Sequence, residues 1–295
     1  MSLLFPDPDA PPSVQETFAS PKVKLVQADL SQPSLGLLPD DFAAVAETAA
    51  AVVHCAADRS FFETYEALQA VNVNSVKELA RFALLAGGAP IHFVSSGAVA
   101  EYDGAAPPTD GTDGYVASKW AAETFLRKVA PLGLRAYLHR PLPLPGITGK
   151  DTTSTTDGTT ATGEEDWSAA ARAVLEELVS ITRQIGTRPD FSAIDGHVDV
   201  APVERIVDDM AASIISSTAG DLGGDAVQVV RHVAQQRLPV EEFARLINEE
   251  EALRLLPTMD PLVWFGEAKR AGFGQFMTAQ QLVISSLEGK LVTRR

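Results

Sequence analysis

Short apolar runs alternate along this chain with longer stretches in which apolar residues return every three or four positions. That alternation predicts parallel strands joined by crossover helices. The runs are VKLVQAD (23–29), AAVVHCA (50–56), PIHFVSS (90–96) and LRAYLHR (134–140). They are continuous rather than alternating, as strands covered on both faces should be. Helical periodicity fills 61–71, 74–86 and 115–130.

Further on, WSAAARAVLEELVSITRQI predicts a helix opened by Asp166, and VAPVERIVDDMAASII (200–215) another, with Pro202 near its first turn. A strand follows at AVQVVRH (226–232), then helices after Pro239 and over 279–288. Residues 148–166 are rich in Thr, Gly and Asp and poor in apolar groups, which predicts a flexible loop. The expected organisation is an irregular segment over 1–21, an incomplete Rossmann-like domain over 22–147, the loop, and a mostly helical C-terminal lobe over 167–295 with some chain returning to the first domain.

At 295 residues and 45% hydrophobic content, the chain suffices for such a core. No apolar run approaches the roughly 18 residues that span a bilayer, and MSLLFPDPDAPPS is a poor secretory signal. The reading is cytoplasmic. A formal charge of −15 argues against nucleic acid and anionic membrane as partners. Cys55 is the only cysteine and sits in an apolar run, so a buried, inert thiol is expected. The five histidines never fall at the i, i+4 spacing of a helix-borne metal site, so no metal is predicted.

Candidate chemistry gathers at GYVASKW (114–120). Tyr115 and Lys119 are four apart, on one face of a predicted helix. A nearby ammonium favours phenolate, so the tyrosine pKa is expected to fall toward neutrality. Ser95 and Ser96 end the strand IHFV, where the reactive crevice of an open α/β sheet lies. Asn72, in AVNVNS, offers an amide that could fix a water or a lysine. A lone Y-x-x-x-K is a weak signal, whereas the order strand, Ser, loop, Tyr, Lys is stronger. Trp167, Trp264 and Phe265 in the C-terminal lobe fit core packing better than an acyl tunnel.

In that order the chain resembles the extended short-chain dehydrogenase/reductases, specifically the thioester reductase group. ADLSQPSLGL, VVHCAA with NVNS, SKWAAETFL leading to GLRAYLHRPLPLPG, GITG and VAPVERIV carry the likeness over about residues 22–250. The resemblance implies that Tyr115 protonates the carbonyl oxygen, Lys119 lowers its pKa and holds the nicotinamide ribose, and Ser96 polarises the carbonyl, with Asn72 beside them. It implies that Asp29 and Leu30 flank the adenine, that Ala56 and Ala57 pass the cofactor, and that Arg140, Pro141 and Leu142 follow the strand beside the nicotinamide. The implied reaction is NADPH-dependent reduction of a thioester on a phosphopantetheine-linked acyl or peptidyl carrier protein, to aldehyde or alcohol.

The family opens with a strand and a glycine triplet, yet here the first glycine is Gly36, already past Asp29. The expectation is therefore an N-terminally truncated Rossmann-like parallel sheet in which dinucleotide binding is doubtful. Residues 23–29 should then either pair directly with 50–56 or leave the sheet edge uncovered. Two other functions follow from the same gap: a non-redox Dieckmann-type release, or a non-catalytic remnant.

Overall fold

The computed structural model describes residues 12–59, 63–102, 104–107, 114–141, 169–191, 197–200, 203–218, 225–232 and 236–271. In chain order the helices are α1 (Pro12–Ala19), α2 (Pro39–Ala46), α3 (Tyr65–Gln69), α4 (Ser75–Leu85), α5 (Gly114–Val129), α6 (Ala169–Ile185), α7 (Val203–Thr218), α8 (Val240–Glu249), α9 (Glu251–Arg254) and α10 (Pro261–Arg270). The strands are β1 (Val52–His54), β2 (Ile91–Val94), β3 (Ala136–Arg140), β4 (Arg188–Pro189), β5 (His197–Val200), β6 (Val227–Arg231), β7 (Gln236–Pro239) and β8 (Thr258–Met259). The expected loop at 148–166 and helix at 279–288 lie outside the described residues. Contacts divide the chain into two units, Met1–Pro141 with Val207–His232, and Leu142–Ile206 with Val233–Arg295.

The first unit is built on a parallel sheet in the order β1-β2-β3-β6. Register sets Val52, Ile91, Ala136 and Val227 in one row, and His54, Phe93, Leu138 and Val229 in the next on the same face. α4 and α5 supply the other half of that core through Val76, Ala80, Ala83, Ala122 and Leu126. The alanines let the helices come close, and each fully buried Leu, Ile or Phe contributes about 1.5–3 kcal/mol. α2 extends the cluster, with Phe42 edge-on to Phe82 at 5.3 Å. On the opposite face α7 meets the sheet, where Ser217 bonds His92. This is the Rossmann-like α/β architecture expected from the apolar runs.

The run at 23–29 is the exception. It forms no strand, and Leu25 is 46% exposed. Among the described residues β1 stands at the edge of the sheet, so the second of the two expected outcomes is the one observed. The physical reason is local: a parallel strand is stable only with a hydrogen-bonded neighbour, and here the backbone bonds turn inward instead. Asp29 N donates to Leu35 O at 2.7 Å and Gln32 N to Asp29 O at 3.1 Å. Ser34 and Leu35 take left-handed backbone angles, φ 53° and 57°. Glu78 holds Ser34 N (3.0 Å) and Arg81 holds its hydroxyl (2.6 Å), fixing the turn to α4.

Four of the described helices, α1, α2, α9 and α10, were not anticipated. α1 lies in the segment expected to be irregular, with Pro12 as its first residue. α2 has Pro39 at its start and Asp40 and Asp41 in its first turn, where a fixed φ and negative charge suit a helix N-terminus. In addition, the stretches 61–71 and 74–86 are one helical run over 65–85, continuous through a π turn at Ala70–Asn74.

The second unit has two small ladders, β4 with β8 (parallel) and β5 with β7 (antiparallel). Its core includes Leu178, Ile181, Phe191, Ile247, Leu253 and Trp264. Trp264 is fully buried and its indole N–H donates to Thr187 O at 2.7 Å, which makes it a packing residue. Trp167 and the side chain of Phe265 lie outside the described residues.

Candidate active site

The first residue of α5 explains why GYVASKW begins with glycine. A Cβ on Gly114 would stand 2.2 Å from Glu63 O and 2.9 Å from Thr64 C and Tyr65 N, all backbone. The helix therefore starts against the entry of α3, and Tyr115 follows at a fixed place. Gly114→Ala should cost about 1–3 kcal/mol through overpacking and lower activity by displacing Tyr115. Thermal unfolding and a rate measurement on the same variant check both effects.

One turn on, Lys119 is 2% exposed. Its Nζ donates to Val94 O at 2.8 Å and lies 4.8 Å from the Phe93 ring centroid and 5.8 Å from that of Tyr115. Burial pushes the amine down to about 8; Arg59 adds to the fall, while Cys55 and Glu123 oppose it. Tyr115 moves the other way from the sequence expectation. Burial raises its phenol above the ordinary value, with Arg59 pulling against that rise. The pair thus holds a neutral phenol beside an amine that titrates near physiological pH.

The π turn places Asn72 between Asp58 and Ser118 of α5. The side chain is 1% exposed; Nδ2 donates to Asp58 O (2.9 Å) and Ser118 Oγ (3.0 Å), and Oδ1 accepts from Asp58 N (2.7 Å). Ser118 Oγ in turn donates to Tyr115 O at 2.7 Å. Both amide hydrogens are committed, so Asn72 ties the segment after β1 to α5 instead of holding a lysine. One-turn π insertions recur at functional sites because they redirect one side chain without ending the helix.

The other predicted residues are spread along the strand ends. Ser96 Oγ accepts from Ala98 N at 3.3 Å, whereas buried Ser95 Oγ has no hydrogen-bond partner among the described residues. Ala56 is exposed and Ala57 half-buried in the segment after β1. Cys55 is exposed, correcting the expectation of a buried thiol, because the apolar run passes the end of β1 before reaching it. Partial desolvation raises its thiol pKa, with Lys119 acting in the opposite sense.

Arg140 forms a fork on Glu123, Nε to Oε1 at 2.9 Å and Nη2 to Oε2 at 2.7 Å, with both side chains at most 3% exposed. Its guanidinium is thereby turned onto α5. Pro141 O accepts from Gly97 N at 2.9 Å, and Leu142 lies outside the described residues. Asp29 accepts from Ser31 N and Oγ, which lowers its pKa, and Leu30 packs against the main core. Ser118, Glu123 and Arg59 were missed. Only Glu123 carried a signal, being four residues beyond Lys119 on the same helix face.

A family model of the NAD-binding type, described as Male sterility protein, matches residues 9–210. The chain belongs to this NAD-binding male sterility family. Within the extended short-chain dehydrogenase/reductases it falls in the thioester reductase group. It is 48% identical over 277 residues to the hybrid PKS-NRPS synthetase prlS of Fungal sp. (strain NRRL 50135), covering 94% of this chain and 7% of the synthetase. It is 44% identical over 283 residues to trichosetin synthetase PKS-NRPS1 of Gibberella fujikuroi, covering 95% and 7%. Equisetin synthetase eqxS of Fusarium heterosporum is 38% identical over 279 residues, covering 94% and 6%. The chain thus spans about 7% of the length of the first of these relatives.

Two solved reductase domains share the fold of this male sterility family member. The terminal R domain of the myxalamid PKS-NRPS pathway superposes with TM-score 0.59 at 23% identity, over 90% of this chain and 65% of that one. The R domain of a nonribosomal peptide synthetase from Mycobacterium tuberculosis gives 0.60 at 19% identity, over 92% and 67%.

Family membership implies a nicotinamide dinucleotide, and the residues meet that group unevenly. Tyr115 and Lys119, which the resemblance sets beside a nicotinamide, stand one turn apart on α5, with Nζ 5.8 Å from the tyrosine ring centroid. At the pyrophosphate end these 295 residues contain no G-x-G-x-x-G or G-x-x-G-x-x-G. Residues 23–29, which would bring Asp29 and Leu30 to an adenine, form no strand, and Asp29 is engaged by Ser31. Among the described residues, no helix is long and apolar enough to cross a membrane.

Proposed function

We propose that this chain releases a carrier-bound acyl-aminoacyl thioester by Dieckmann-type cyclisation, with no hydride transfer. The observation that carries the reading is the pairing of a buried Lys119 amine, brought to about 8, with a Tyr115 phenol kept protonated. A general base works best when its pKa lies near the working pH, and a protonated phenol is a donor for an oxyanion. The substrate class is a β-ketoacyl amide of an amino acid, joined through its carboxyl to a phosphopantetheine thiol.

Neutral Lys119 takes the acidic proton from the carbon between the two carbonyls, leaving an enolate. That carbon attacks the thioester carbonyl, and Tyr115 O–H donates to the resulting oxyanion. As the carbonyl re-forms, the C–S bond breaks and the leaving thiolate recovers a proton from the Lys119 ammonium. One C–C bond forms, one C–S bond breaks and one proton circulates, so no oxidant or reductant is consumed. The partner is the phosphopantetheine-linked carrier protein that presents the thioester.

The test incubates the 295-residue chain with a carrier-bound acetoacetyl-aminoacyl thioester and follows products by mass spectrometry. The expected product is the tetramic acid, formed at the same rate with and without NADPH. Release that strictly requires NADPH, with an aldehyde or alcohol as product, would support reductive release instead. That second reading is favoured by the family order of Ser96, Tyr115 and Lys119.

A further inference from the structure

On the face of the sheet away from α4 and α5, three histidines are hydrogen-bonded in series, one each from β2 and β3 and the third just past the end of β6. His92 Nδ1 is 3.0 Å from His139 Nε2, and His139 Nδ1 is 3.2 Å from His232 Nε2. The rings stack at 5.3 and 5.4 Å, and Tyr137 covers His92 at 4.5 Å. α7 closes both ends: Ser217 Oγ is 2.9 Å from His92 Nε2, and Asp209 Oδ2 is 3.9 Å from His232 Nδ1. All three rings are buried, while the Asp209 side chain is 45% exposed. The nitrogens point at one another rather than converging, and among the described residues no group of three or more His, Cys, Asp and Glu is placed to hold a metal ion.

The proton positions follow from one hydroxyl. Ser217 Oγ donates its single proton to Ile214 O at 2.8 Å, so toward His92 it accepts. His92 must then carry its proton on Nε2, which leaves Nδ1 bare to accept from His139 Nε2–H. The same logic passes to His139, which accepts from His232 Nε2–H. The ring nitrogen left uncommitted in the series is His232 Nδ1, and it faces the Asp209 carboxylate.

We propose that the Ser217–His92–His139–His232–Asp209 series is an acid-sensitive clamp: it accepts one proton, at His232 Nδ1, and a second enters only when α7 leaves the sheet. The first proton breaks no bond and forms an ion pair with Asp209. A second would have to occupy Nδ1 of His139 or His92, setting N–H against N–H inside the core and placing like charges about one ring spacing apart. Burial already pushes His92 and His139 down to about 4, His139 further lowered by its two histidine neighbours. Burial also lowers His232, and Asp209 works against that fall. The groups facing the rings are thus Tyr137 from β3, Asp209 and Ser217 from α7, and the rings themselves; Arg135 joins at Ser217 O (3.3 Å).

The sign follows by linkage. Folded values below the ordinary 6.5 mean that the unfolded chain takes up protons first, so stability is lost as pH falls from about 6.5 toward 4. His54, on the other face, is also pushed down to about 4 and adds to that loss. Acid unfolding alone therefore does not report the clamp, and each ring must be read separately.

The experiment is long-range 1H–15N NMR of the histidine side chains in the full chain, with amide hydrogen exchange of α7 measured across the same pH series. At neutral pH, His92 and His139 are expected as Nε2–H tautomers. On acidification His232 alone should titrate while the α7 amides stay protected. Asp209→Asn, at an exposed position, should lower the His232 titration by about one pH unit and leave the tautomers of His92 and His139 unchanged. An Nδ1–H tautomer at His92 or His139, protonation of either before His232, or a second bound proton with α7 still protected would overturn the clamp.

Discussion

Lys119→Met should slow cyclisation by about 10²–10⁴-fold, the range a general base supplies, and at the same time raise the stability of the protein. The two effects have opposite signs because the amine is buried at an energetic cost. Its pKa falls from 10.5 to about 8, and a shift of that size corresponds to roughly 3 kcal/mol at neutral pH. Methionine fills a similar volume without a charge. Loss of the Nζ bond to Val94 O offsets part of the gain, so about 1–3 kcal/mol is expected in urea unfolding.

The pH dependence separates this from a packing effect. For wild type, kcat/KM should rise through about pH 8 as Lys119 loses its proton. Between about 8 and 10.5 the unfolded chain still holds a proton that the folded chain has shed, so stability also rises with pH in that window. Both slopes should be absent in Lys119→Met, so that the difference between wild type and variant isolates them. A rate for the variant within tenfold of wild type would remove Lys119 as the base.

Glu123→Ala should destabilise the protein by up to roughly 3–5 kcal/mol, since it removes one partner of a buried, doubly hydrogen-bonded ion pair. Arg140 Nε and Nη2 each donate to a separate oxygen of this carboxylate, and both side chains are buried. Replacing both partners, Glu123→Leu with Arg140→Met, removes the charges together and should recover most of the loss. The measurement is the urea midpoint with the slope unchanged; equal losses in the single and double variants would mean that packing, not pairing, dominates there.

The strands at 50–56, 90–96, 134–140 and 226–232 were legible as dense apolar runs, which coverage on both faces explains for β2 and β3 but not for the outer strands β1 and β6, where Val53 and Val229 are exposed. Val23–Asp29 looks the same in one dimension, yet an apolar run says nothing about whether a neighbour is present to take its hydrogen bonds. Pro39, Asp40 and Asp41 did announce α2, and that signal was readable by helix-start rules alone. Tyr115, Lys119 and Ser96 could be picked out because their order along the chain follows the order of the sheet. Glu123, Ser118 and Arg59 could not, since each matters through a partner brought in by folding. The histidines show the same limit: helical spacing was tested, while His92, His139 and His232 meet through the register of β2, β3 and β6, with His232 just past the end of β6.

The sign of the Tyr115 shift was misread for a related reason. A lysine one turn away lowers a phenol pKa only while both remain solvated or charged. Burial of the pair reverses the balance, penalising phenolate and ammonium alike.

The π turn between α3 and α4 can be read as a phase shift in a wave. Each residue advances an α-helix by about 100°, so one extra residue in the turn resets the phase of everything before it. Leu68, on the upstream side, is buried in the core, and Val76 and Ala80 are buried downstream, yet Asn72 between them reaches Asp58 and Ser118. Deleting one residue from Ala70–Asn74 would restore a regular helix and force a choice: either Leu68 rotates out of the core or Asn72 rotates away from Asp58. The helix could then be kept in tune with the core or with the site, but not with both.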